Sequence, residues 1–143
     1  MNASLILWPV MAQIFLTLIL FFLLAARKAS AMKAGLLDRQ QAALNNKAWP
    51  DDVVKVSNNI ANQAEVPILF YVLTLILFGL DAVNAISLTL AWVFVVCRYA
   101  HSYIHTHSNF VPLRLRFFLL SAVMVIGLFI CTLLALMNHG IVS

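Results

Sequence analysis

The stretch SNNIANQAEVPILFYVLTLILFGL, residues 57–80, decides how the chain folds. Its purely apolar part, Val66 to Leu80, is too short to cross a hydrocarbon layer roughly 30 Å thick, which takes about 20 helical residues. A crossing here must therefore take in the polar part, Ser57 to Glu65. The same holds further along, where Ala85 to Cys97 must borrow the polar end Arg98 to His105. Longer apolar stretches flank both. Four spans are expected, at about Leu5 to Ala26, Ser57 to Leu80, Asn84 to Tyr103 and Leu113 to Met137.

Composition agrees. Of 143 residues, 64% are hydrophobic and only 10% charged, against about 25% charged in soluble proteins, and the mean hydropathy is +0.98. The fold class expected is an all-α membrane protein, a four-transmembrane-helix bundle forming a single domain over 1–143. A soluble core and a nucleic-acid partner are excluded. The first span has no positive residue before it and outruns a secretory h-region, so it is expected to stay in the mature protein. Cys97 and Cys131 lie in apolar stretches without CxxC spacing and read as small buried hydrophobes.

Positive charge sets the orientation. Arg27, Lys28, Lys33, Arg39, Lys47 and Lys55 sit between spans one and two, and Arg98, Arg114 and Arg116 where span three passes into span four. Gly79 to Asn84 carries none. The positive-inside rule puts both basic connections in the cytoplasm and both termini outside, and the compact chain suggests a bacterial inner membrane. Every ionisable side chain except Asp81 and His139 then gathers at the cytoplasmic end, where chemistry is to be sought. Trp49 and Pro50 mark the approach to span two, and Asp51 and Asp52 suit a helix N-terminus.

Two polar stripes run into the bilayer from that end. Asn58, Asn62 and Glu65 fall at i, i+4 and i+7, and Arg98, His101 and His105 at i, i+3 and i+7, each on one helical face. Such groups are costly against lipid, so each stripe is expected to face the bundle interior or a subunit interface. Arg27, Lys28, Arg98, Arg114 and Arg116 outnumber Glu65, and surplus cation invites an anionic ligand. Pro67 frees the carbonyl of Gln63; a kink and a tolerated membrane proline both fit. His101 and His105 share a face, but HSYIH lacks the glutamate of HExxH, so no metal site is expected there. Tyr99, Tyr103, Phe110, Phe117 and Phe118 read as a boundary belt.

Taken together, NQAEVP at 62–67, RYAHSYIH at 98–105 and PLRLRFF at 112–118 resemble the MAPEG family, membrane-associated proteins of eicosanoid and glutathione metabolism. The resemblance spans the whole chain. It implies a homotrimer with glutathione, a co-substrate, held between subunits at the cytoplasmic face. Carried over by position, Asn62, Glu65, Arg98 and His101 would contact glutathione, with Asn58 and His105 beside them on the same two stripes as further binding residues, Arg27 would close the first helix near it, and Arg114 would be the catalytic residue that stabilises the thiolate. The chain departs from eicosanoid-pathway members at Asn58 and Ala61 (arginines there), at His105 (a tyrosine), at Leu115 (a serine) and at Phe118 (a tyrosine).

The implied function is a glutathione-dependent transferase or peroxidase acting on a lipophilic electrophile or hydroperoxide from the bilayer. The alternative is a non-catalytic relative that binds a lipid or other anion, or serves as a scaffold for another membrane protein. A metal centre on His101, His105 and Glu65 is the third possibility.

Overall fold

The computed structural model describes residues 1–35 and 39–142; residues 36–38 of the first basic connection, and Ser143, lie outside them. The helices are α1 (Leu7–Lys33, entered through a 3₁₀ turn at Ala3–Ile6), α2 (Arg39–Leu44), α3 (Asp51–Gln63), α4 (Val66–Gly79), α5 (Ala85–Thr106) and α6 (Val111–Val142). Among the described residues four units are long and apolar enough to cross a membrane: Ala3–Lys33, Asp51–Gly79, Ala85–Thr106 and Val111–His139. The chain is an all-helical integral membrane protein with four spans.

Each crossing unit runs past its expected span at one end or both because hydropathy marks the hydrocarbon, not the helix end. Beyond Ala26 the residues RKASAMK keep good helix propensity, and α1 continues to Lys33 until Gly35, at φ +67°, turns the chain in the left-handed region. Helix α3 begins at Asp51, with both aspartates in its first turn. Between α4 and α5, Asp81 takes φ +51° and the Ala82 amide donates to the carbonyl of Leu77 at 3.0 Å. Asn84 then starts α5 with a capping box: its side chain accepts from the Ser87 amide at 2.9 Å, while its own amide donates to Ser87 Oγ at 3.0 Å.

At Pro67 the helix breaks outright. Glu65 sits at φ −101°, ψ −105° between α3 and α4, and Pro67 occupies the first turn of α4, where an amide hydrogen would have no intrahelical acceptor. The second span is thus two helices in series.

The core lies where α4, α5 and α6 meet the N-terminus. Phe70 stacks on Phe94, ring centroids 4.3 Å apart, among fully buried Ile6, Leu77, Ala91 and Leu128. Gly127 allows α6 close to α5: a Cβ there would stand 3.0 Å from Leu90 Cδ1. Trp8, Phe22, Ile68, Val96 and Ile126 are exposed, as a lipid-facing surface requires.

A polar seam ties α1, α3 and α5 inside this apolar shell. Gln13, with no exposed surface, donates through Nε2 to Gln63 Oε1 at 2.9 Å. Gln63 Nε2 in turn reaches Asn59 Oδ1 at 3.2 Å and Ser102 Oγ at 3.3 Å, and Ser102 Oγ donates to Asn59 Oδ1 at 3.2 Å. Gln13 Oε1 has no partner.

Candidate functional site

At the end of the bundle that carries the basic connections, α3, α5 and α6 border an open cavity of about 490 Å³, lined by Asp51, Val54, Lys55, Asn58, Asn62, His105, Asn109 and Arg114. That volume is ordinary for a small-molecule pocket. Lys55 and Arg114 give it two cations against one carboxylate. Asn58 and Asn62 contribute amides from one face of α3, and that face extends by helical spacing to Lys55 and Asp51, at i−3 and i−7 from Asn58.

The turn from α5 to α6 positions Arg114. Helix α5 ends at Thr106, and Asn109 takes φ +51°, a conformation asparagine tolerates better than most residues. Its amide donates to the carbonyl of Ile104 at 2.7 Å. Its Oδ1 then faces the first turn of α6 and accepts from Arg114 Nη1 at 2.6 Å. The same nitrogen lies 3.2 Å from His105 Nε2. A guanidinium can only donate, so Nε2 is the accepting lone pair and His105 is neutral with its proton on Nδ1. Both of these hydrogen bonds leave from Nη1; among the described residues Nη2 and Nε make none.

Beneath the cavity lies the rest of the α5 stripe. His101 Nδ1 donates to the carbonyl of Arg114 at 3.0 Å, tying α5 to α6, and its ring centroid is 5.8 Å from that of His105. Arg98 has no exposed surface. Its Nη2 donates to the carbonyl of Asn62 at 3.1 Å, but its Nε and Nη1, with His101 Nε2 and His105 Nδ1, are buried without partners. Four orphaned nitrogens on one stripe are costly unless water or another group meets them. Glu65 is exposed and stands outside the cavity.

Of the residues singled out in the sequence, Asn58, Asn62, His105 and Arg114 therefore meet in one cavity; Arg98 and His101 lie below it. Arg27 does not join them. It clamps helix ends instead, donating to the carbonyls of Asp52 at 2.6 Å and Thr106 at 3.2 Å. Its neighbour Lys28 places Nζ 4.7 Å from the centroid of the Trp49 ring. His107 stacks on Tyr103 at 4.3 Å and is exposed. Among the described residues no three His, Cys, Asp or Glu side chains cluster as a metal site.

Sequence reasoning missed Asp51, Lys55 and Asn109 as lining residues. The first two were legible by extending the Asn58 stripe towards the N-terminus; Asn109 was legible only as an asparagine three residues before Pro112. Set against known protein families, residues 5–134 match the MAPEG family. No curated protein and no solved structure matches the chain.

Proposed function

The chain belongs to the MAPEG family, and on that premise we propose that it binds glutathione in the α3–α5–α6 cavity and transfers it to, or uses it to reduce, a lipophilic electrophile or hydroperoxide that arrives from the bilayer. The observation that carries this is Arg114, with two nitrogens that make no hydrogen bond among the described residues, at the wall of a cavity of about 490 Å³. The donor set fits glutathione's charges: Lys55 and Arg114 suit its carboxylates or its thiolate, Asp51 its ammonium, and Asn58 and Asn62 its amides. A thiol has an ordinary pKa near 8.5, and a neighbouring guanidinium favours the nucleophilic thiolate.

A homotrimer follows in the same reading. Asn58 and Glu65 are exposed on the single subunit along the second span, where lipid is a poor neighbour for an amide or a carboxylate, and a second copy against α3 and α4 would cover them. The basic connections support a cytoplasmic position for the cavity, with both termini on the far side.

Native mass spectrometry of the detergent-purified protein, with and without glutathione, tests assembly and ligand together. A trimer that gains the mass of glutathione upholds the proposal; a trimer that refuses it ends the glutathione reading. Refusal with retained lipid would favour the non-catalytic alternative, which has Asn58 and Ala61, uncharged where related enzymes carry arginine, in its support.

A further inference from the structure

We propose that His105 is the proton acceptor for the thiol, so that the protein keeps the proton that glutathione loses. This rests on the reading of the cavity as a glutathione site and adds a step to it. Two cavity-lining side chains, Asn109 and His105, offer a lone pair towards Arg114, and of the two only the imidazole is a base. His105 Nε2 accepts from Arg114 Nη1 at 3.2 Å, and His105 borders the same cavity.

Arg114 Nη1 also donates to Asn109 Oδ1 at 2.6 Å, so it stays anchored if its bond to His105 is lost. The exchange is then simple. A thiol arriving beside Arg114 donates its S–H to Nε2 in place of the Nη1 hydrogen. The S–H bond breaks, its electron pair stays on sulfur, and an Nε2–H bond forms. The products are a thiolate against the Arg114 guanidinium and a His105 imidazolium carrying protons on both nitrogens.

The charges around His105 explain why the transfer waits for the ligand. Arg98 and His101 precede it on α5, Lys55 and Asp51 face the cavity from α3, and Arg114 from α6. An imidazolium among two guanidiniums and an ammonium, with one carboxylate, is disfavoured until the thiolate supplies a further negative charge. A hydrogen-bonded base of this kind is the usual partner of an activated nucleophile.

The test counts protons. Glutathione is added to the full-length protein in weakly buffered detergent at neutral pH; thiolate is read by ultraviolet difference absorbance and released protons by an indicator dye. With His105 as acceptor, the wild-type protein forms thiolate while releasing far fewer than one proton per thiolate. H105Q, and H105Y as a second variant with no group that takes up a proton near neutral pH, release about one for each thiolate they form. Full release by the wild-type protein overturns the assignment, whether or not the variants fold, and so does retention by either variant. Thiolate without proton retention leaves the glutathione site standing, whereas no thiolate and no glutathione uptake removes the site and the inference together.

Discussion

Replacing Gln63 by leucine tests the buried seam. The substitution removes the acceptor of Gln13 Nε2 and the donor shared between Asn59 and Ser102. Gln13 is fully buried and its Oε1 already lacks a partner, so in Q63L neither end of that amide is satisfied. Interhelical hydrogen bonds within membranes contribute on average about 0.6 kcal/mol each, and orphaning a buried donor costs about 1–3 kcal/mol. A loss of about 2–3 kcal/mol is expected for Q63L. Q13L alone removes one bond and an unsatisfied oxygen but leaves the buried Gln63 Oε1 without its donor, and should cost about 1–2 kcal/mol. The double variant Q13L/Q63L removes both partners, and replacing both with apolar groups of similar shape is nearly neutral. It should therefore be more stable than Q63L. The assay is reversible unfolding in mixed micelles, followed by circular dichroism, with the four proteins forming a double-mutant cycle. A double variant that loses the plain sum of the two single losses would refute the assigned coupling.

Four further outcomes follow from the geometry. R114A should abolish the thiolate absorbance of added glutathione while leaving helicity close to wild type, its two lost side-chain bonds costing about 1–2 kcal/mol; an unchanged signal would remove Arg114 from its role. R27A should weaken the junction of α1 with α3 and α5 by about 1–2 kcal/mol, two bonds to carbonyls being lost, and speed hydrogen exchange at residues 52–56 without altering glutathione stoichiometry. N109A should cost about 1–2 kcal/mol for the left-handed backbone, whereas N109G should recover that loss in thermal unfolding but weaken the hold on Arg114, read as reduced thiolate at equal occupancy. G127V should cost about 1–3 kcal/mol by overpacking against Leu90; a variant as stable as wild type would show that α5 and α6 can part there freely.

The four spans were readable because hydropathy and length are summed over many residues. So was the need for spans two and three to borrow polar ends, which is why Asn62 and His105 were found. The individual faces were harder. Asn58 and Asn59 are adjacent, and nothing in the sequence says that the first borders a cavity while the second is locked to Ser102; that depends on the rotation of α3, set by packing of Val53 and Val56. Gln13 was invisible as a lone amide in an apolar run, since its partner is 50 positions away. Arg27 was placed at the right end of the right helix, but a long side chain reaches several acceptors, and carbonyls at two helix ends took it.

The break between α3 and α4 has an electrical consequence. A continuous helix would commit the carbonyl of Asn62 to the amide of Val66, so that Arg98 Nη2 would have to share it. Interrupted, the helix turns the carbonyl-rich, partly negative end of α3 towards that cation. The break in the second span and the burial of Arg98 therefore support one another at this depth, and Pro67, which has no charge and no hydrogen to donate, favours both.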